Sequence, residues 1–323
     1  MKHVMRIMML LVAIVPVACS EDNVLDDYDN TAIIDNSTSS STTSTSIGEL
    51  SSFDIAIDKT PLSETELTGS DEDLLSNNTF GSTVTITFSD NSYSVDGAVD
   101  GVDFSQSSGA DVIVNSSVAG INYVLTGSTS NGMFKVYSSK KYQLTLNGIS
   151  ITNGDGPALN LQSGKRAYIY AADGTSNTFT DGSSYASSDE DQKGTVFSEG
   201  KLLFSGAGLV TVNGNTKNGI ASDDYIKVFP GANIYVKATA GHGIKANDSI
   251  IVKGGVMVRA TGGDGSEGIE SKAVMTINDG TVQVLAYDDA INSSSHLYIK
   301  GGSVLAYSTG NLCLQATPAA PSS

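Results

Sequence analysis

Four short stretches decide the fold: Asn218-Gly219-Ile220, His242-Gly243-Ile244, Glu267-Gly268-Ile269 and Asp289-Ala290-Ile291 are versions of one motif. Their isoleucines lie 24, 25 and 22 residues apart, with a weaker copy at Phe197 before them and another at Leu312 after them. Each unit continues with a short strand, a glycine-rich turn and a second strand. The turns are Pro230-Gly231-Ala232, Gly254-Gly255-Val256, Asp279-Gly280-Thr281 and Gly301-Gly302-Ser303. Alternating stretches such as Thr83-Val84-Thr85-Ile86-Thr87-Phe88 and Gln143-Leu144-Thr145-Leu146 extend the same β pattern towards the N-terminus. A period of two with turn residues between is the signature of strands.

A unit of this length cannot bury its apolar face alone, but stacked units bury a continuous core, which is the logic of a solenoid. Leucine-rich repeats need a leucine framework and an asparagine ladder that are absent, and a propeller blade needs about 40 residues. The reading is an all-β parallel β-helix of eight to ten coils between residues 80 and 316, on the order of 45 Å long at about 4.8 Å per coil. Ile220, Ile244, Ile269 and Ile291 would form one aliphatic ladder. Gly219, Gly243 and Gly268 would supply either a positive φ or a close approach that a side chain prevents, and Ala290 in the fourth unit points to size as the constraint there.

The 323 residues carry a net charge of −17, unevenly spread. Residues 20–79 hold 14 acids and one base, Lys59, whereas residues 80–323 are nearly balanced and hold 32 of the 34 glycines. Such a balance excludes a nucleic-acid partner, and the glycine density disfavours helices. Residues 37–46 are Ser or Thr at every position. So polar a segment buries too little apolar area to offset its ordering entropy, so residues 19–79 are expected to be a disordered tether and 317–323 a disordered tail.

Residues 1–18 read as an export signal: Lys2 and Arg6 precede an apolar run from Ile7 to Ala18, too short to span a bilayer. Val17-Ala18-Cys19 resembles the lipobox of bacterial lipoproteins, which implies cleavage before Cys19 and its lipidation. Ser20-Glu21-Asp22 resembles the acidic sorting signal of Bacteroidota-type surface lipoproteins, so the expected location is the outer membrane, lipid-anchored at the cell surface. With Cys19 acylated, Cys313 would have no disulfide partner and would be a buried or half-buried thiol.

The repeat places polar residues in register on one edge. Asp264, Glu267, Glu270, Asp288, Asp289 and Asn292 form its densest oxygen cluster. Carboxylates one coil apart repel unless a cation or proton lies between them, and hard oxygens suit Ca²⁺. Solvated turn acids are the plainer reading of the same residues. The loop from Asp181 to Asp191 is a second acidic feature, open to binding or to plain solvation. Of three histidines, His3 lies in the signal, and no nucleophilic triad or metal-protease motif can be assembled from His242 and His296. A lyase would need a basic residue beside the metal, for which Lys245 and Lys272 are the candidates. Tyr235, Tyr287, Tyr298 and Tyr307 are candidate stacking platforms for sugar rings.

Further stretches carry a family resemblance: Leu144-Thr145-Leu146-Asn147-Gly148 with Ile151-Thr152-Asn153, Asp155-Gly156-Pro157-Ala158-Leu159, and Asn177-Thr178-Phe179-Thr180-Asp181-Gly182-Ser183-Ser184-Tyr185. With the Gly-Ile units, they resemble the carbohydrate-binding, calcium-binding β-helix domains that are similar in fold to polysaccharide lyases. The resemblance implies a right-handed parallel β-helix, bound Ca²⁺, and cellulose-like or acidic plant polysaccharides as ligands. The family's acidic units correspond to Ser266-Glu267-Gly268-Ile269 and Asp288-Asp289-Ala290-Ile291, whereas Asn218 and His242 stand where acids would be expected. The expected function is therefore non-catalytic, calcium-dependent polysaccharide binding by a monomeric surface lipoprotein. A lyase acting on uronates and a structural or adhesive surface rod are the alternatives.

Overall fold

Val112, Phe134, Leu159, Val196, Ile220, Ile244, Ile269, Ile291 and Leu314 stack one on the next through parallel strand pairs, giving a ladder of nine levels. In this computed structural model, which describes residues 71–316, the chain is a parallel β-solenoid of about nine coils. The isoleucine ladder is as expected, but its neighbours differ by register. Val196 rather than Phe197 precedes it, and Leu314 rather than Leu312 follows it. A one-residue shift in a strand exchanges inner and outer faces, so Phe197 lies on the outer side of that sheet.

Each full coil has three faces. The first is the ten-stranded sheet that contains the Gly-Ile units and ends at Leu314–Ala316. The second and third belong to one sixteen-stranded sheet, joined by the twelve-residue strand Tyr142–Asn153. The first half of that strand pairs with Ala167–Ala171 and its second half with Ser176–Asp181. On the second face, Leu144, Ile169, Phe204, Val228, Val252 and Ile277 form an inner column. On the third, Ile151, Phe179, Val212, Val236, Val258 and Val284 do the same. All of these are buried, and each contributes about 1.5–3 kcal/mol of burial energy before entropy is counted.

The glycines of the motif are explained by this packing. None of Gly219, Gly243 and Gly268 has a positive φ. A Cβ on them would lie 2.3, 2.1 and 2.1 Å from Cγ1 of Val236, Val258 and Val284 respectively. In the next coil the valine column ends in Ala306, and the motif residue is Ala290 rather than Gly. Methyl groups lost on one face make room for the methyl gained on the other, so volume sets the glycine requirement.

The N-terminal coils depart from a purely parallel helix. Ser82–Ser89 forms an antiparallel hairpin with Ser92–Asp96, and Val102–Ser105 runs antiparallel to Val112–Ser116. The expected tether boundary at residue 79 is also too late. Asp71–Asp73 and Leu75–Asn77 form 3₁₀ turns laid against the second face. There Asp73, 1% exposed, accepts from Arg166 Nε at 2.8 Å, from Tyr225 Oη at 2.6 Å and from Lys227 Nζ. Burial opposes ionisation of Asp73, but the three donors outweigh it and hold the carboxyl below its usual range. Phe80 packs on Tyr168 with ring centroids 5.2 Å apart.

Cys313 is buried, as its leucine neighbours suggested, but the expectation of a lone thiol is not met. It is disulfide-bonded, and no cysteine among the described residues is free. The signal at 1–18, Cys19, most of the tether and the tail at 317–323 lie outside the described residues. Among the described residues no helix is long and apolar enough to cross a membrane.

Candidate functional site

The six oxygen-bearing residues singled out from the sequence sit at or beside the corner where the third face turns into the first. The third-face strands end at Ala238, Ala260, Ala286 and Ser308, and the first-face strands begin at Ile244, Ile269, Ile291 and Leu314. Parallel pairing sets Lys245, Glu270 and Asn292 side by side on the outer surface of the first face. Glu267 and Asp289 occupy equivalent corner positions in successive coils, each two residues before the ladder isoleucine.

The cluster divides into two halves with different chemistry. In the inner half Glu270 is 1% exposed, and its carboxylate is shared by Lys245 Nζ at 2.7 Å and Lys272 Nζ. His242 lies between the two glutamates. Its Nδ1 is against Glu267 Oε2, and its Nε2 is 3.0 Å from Lys245 Nζ and 3.4 Å from Glu270 Oε2. Asn292 Nδ2 donates to Glu267 Oε1 at 3.3 Å. Burial works against the Glu267 charge, but the hydrogen bond and charge of His242 prevail and hold its carboxyl at about 2.

In the outer half no basic side chain intervenes. Asp288 accepts from Gly265 N at 2.6 Å and from Asn311 Nδ2 at 2.9 Å, and Asp289 accepts from Leu312 N at 3.0 Å. Burial pushes the Asp289 carboxyl up, the Leu312 amide opposes this, and the charges of Asp288 and Glu267 raise it further. Asp264 is exposed on the same corner. These uncompensated carboxylates are hard donors of the type Ca²⁺ accepts, whereas both oxygens of Glu270 are taken up by lysines. Among the described residues, the groups whose ligand atoms lie within 4.8 Å of one another are His242, Glu267 and Glu270, and Asp191, Glu199 and Asp223; Asp264, Asp288 and Asp289 do not join such a group.

The four tyrosines do not form one platform. Tyr235 and Tyr307 are on the outer side of the third face, in different columns and three coils apart. Tyr298 is on the second face, stacked on His296 with centroids 5.8 Å apart. Tyr287 alone adjoins the acidic corner, directly before Asp288 and 39% exposed.

The second acidic loop is not a free surface. Glu190 accepts from Lys135 and Tyr137, and Lys193 Nζ lies 2.8 Å from Asp191 and 2.7 Å from Asp223. Gln162 Nε2 reaches the Asp191 carbonyl at 2.8 Å, so the loop is pinned over the first face near the buried Asn160 and Phe197. Sequence reasoning missed the pairing of His242 with Glu267 and Glu270, having weighed it as a missing acid and as a catalytic histidine without partners. Its position, equivalent to Glu267 one coil earlier, was the available signal.

Comparison with known proteins adds to this geometry. A family model described as carbohydrate-binding domain-containing protein matches residues 108–311. A carbohydrate-binding domain-containing protein of Acetivibrio thermocellus is 33% identical over 121 residues, which are 36% of this chain and 42% of that relative. The match thus spans less than half of that relative's length. Among solved structures, a gadolinium derivative of the polysaccharide lyase-like protein from C. thermocellum is similar, with a TM-score of 0.58 and 27% identity. The similarity covers 73% of this chain and 99% of that one.

Proposed function

The chain belongs to this family of carbohydrate-binding domain proteins, and on that premise we propose that it holds polysaccharide at the acidic corner without cleaving it, through Ca²⁺. The observation that carries the reading is the juxtaposition of exposed Tyr287 with the uncompensated carboxylates of Asp288 and Asp289. An aromatic face takes the apolar side of a sugar ring, and carboxylates accept its hydroxyls or share a cation with its uronate. When bound, Ca²⁺ would supply the positive charge that lets the carboxylates of corner and ligand approach. Glu267 would be oriented for it by His242 and Asn292, and Asp289 by the Leu312 amide.

Cleavage of a uronate needs a base free to take the proton beside the carboxylate. Lys245 and Lys272, the candidates for that part, both direct their ammonium groups at Glu270. This arrangement supports binding over lysis. The description of the solved relative as polysaccharide lyase-like favours the second reading, a lyase acting on uronates.

The test is a pull-down on cellulose and on polygalacturonate with Ca²⁺ or with a chelator. Retention in Ca²⁺ that is lost with chelator and in Asp288→Asn/Asp289→Asn is the expected result. Retention that ignores both chelator and variant removes calcium from the reading, and no retention on any polysaccharide removes the binding function. Sustained release of unsaturated product, abolished by Lys245→Ala, would establish the lyase instead.

The same proposal includes an outer-membrane lipid anchor at Cys19, supported by Val17-Ala18-Cys19. Intact mass of the membrane-extracted protein tests it: added diacylglyceryl and acyl groups support the anchor, and an unmodified chain overturns it.

A further inference from the structure

The corner between the first and second faces, in earlier coils, has the opposite character. Lys141, Arg166 and Lys201 each directly precede a second-face strand, and those strands pair in register as Tyr142, Ala167 and Leu202. Their backbones are linked by Tyr142 N to Arg166 O at 3.2 Å and Ala167 N to Lys201 O at 2.9 Å. Three cations therefore form a column with steps of about 4.8 Å. Lys140 and Lys165 begin a second column beside it. Together with Glu72 they line an open cleft of about 410 Å³.

These cations are not equally committed. Arg166 is held by Glu72 at 2.9 Å and by Asp73 at 2.8 Å, and Lys201 pairs with Asp224. Lys140, Lys141 and Lys165 are exposed, and no ion-pair partner is found for them among the described residues. In a chain of net charge −17, three unpaired lysines beside two braced cations are a local reversal of sign. Charges more than about 8 Å away are largely screened at physiological ionic strength, so a ligand in the cleft meets the local field.

We propose that this cleft is a second, calcium-independent site that binds a densely sulfated saccharide chain. The density of the array favours this class. Two cations stand side by side in each of two successive coils, so the complementary chain carries more than one anionic group per sugar. A polyuronate offers a single carboxylate per sugar. Lys140, Lys141 and Lys165 would act as mobile point charges on sulfate oxygens, and Arg166, fixed by Asp73, as a positioned fork. The site rests on the carbohydrate-binding reading only for the class of ligand; its geometry is separate from the acidic corner.

The test uses the full chain and a fluorescent, fully sulfated heparin-type oligosaccharide in the presence of chelator. Binding is expected to weaken steeply with added salt and to fall at least tenfold in Lys140→Ser/Lys141→Ser/Lys165→Ser. The same variant should keep wild-type retention on whichever polysaccharide the acidic corner holds, so failure at one corner is distinguishable from failure at the other. An unchanged affinity in the triple variant, or no binding by wild type, overturns the proposal. Polygalacturonate bound as tightly in chelator overturns the density argument. A single-stranded DNA oligonucleotide bound as tightly as the glycan makes the cleft a general polyanion surface and overturns the assignment to saccharide.

Discussion

Two corners of one rod carry opposite charge and differ in how that charge is balanced. The acidic corner neutralises two of its five carboxylates internally: Glu270 is buried between Lys245 and Lys272, and Glu267 is against His242. The basic corner braces Arg166 and Lys201 but leaves three lysines in solvent. Charge counted along a sequence is therefore a poor guide to charge available to a ligand. What matters is which groups the coil spacing brings within reach of a partner, and how dry that contact is. A buried ion is strongly coupled to its partner, while an exposed lysine contributes little to stability and stays free to bind.

The largest expected effect tests that contrast directly. Lys245→Ala/Lys272→Ala would strand the buried Glu270 carboxylate, for which a loss of about 3–5 kcal/mol is expected in urea denaturation. If the double variant is as stable as wild type, Glu270 is not held by these lysines, and the division of the acidic corner into two halves fails.

Acid titration should come next. The folded Glu267 carboxyl is at about 2 against 4.5 for its ordinary value. A depressed carboxyl stabilises the fold above the unfolded value, and this contribution is lost as pH falls through the folded one. Stability should drop by up to about 3 kcal/mol between pH 4.5 and 2, at ~1.36 kcal/mol per unit. In Glu267→Gln that part of the decline should disappear. A profile unchanged by the substitution would show that His242 does not stabilise the Glu267 carboxylate.

Asp289 should act with the opposite sign. Its carboxyl is raised, so folding favours the protonated form, and its ionisation costs stability as pH rises above the ordinary carboxylate range. Without Ca²⁺, Asp289→Asn is expected to raise the melting temperature at neutral pH, and Ca²⁺ should stabilise wild type but not the variant. A melting temperature lowered by the substitution would place the charge strain elsewhere.

The smallest effect belongs to the basic corner. Lys140→Ser/Lys141→Ser/Lys165→Ser should change folding stability by no more than about 0.5 kcal/mol, as exposed substitutions usually do. A larger loss would mean that these lysines have structural partners after all.

The repeat was legible because its physical cause is local. The period of two in Asn233–Ala238 or Thr281–Ala286 marks one side of a strand, and the recurring isoleucines mark one rung per coil. The glycines of the motif also announced a steric constraint, although the valines that impose it became visible only when the third face was folded against the first. The register at the start of the ladder was misread because Phe197 is apolar like Val196, and apolarity alone does not say which side of a strand is inside; at its end Leu312 lies two residues before the ladder position, ahead of the strand Leu314–Ala316.

The acidic corner was legible as a cluster, since residues equivalent in successive repeats must become neighbours in a solenoid. The basic corner was not singled out, although the doublets Lys140-Lys141 and Lys165-Arg166 stand one repeat apart. The docking of Asp73 onto Arg166 and Lys227 spans 93 and 154 residues, and no repeat relates it to the coils. The sequence by itself determined the coil, its period and the residues that stack, because these follow from alternation and repetition over a few residues. Only the tertiary structure decided which charges neutralise one another, because ion pairing depends on distances across faces and between coils that no local pattern encodes.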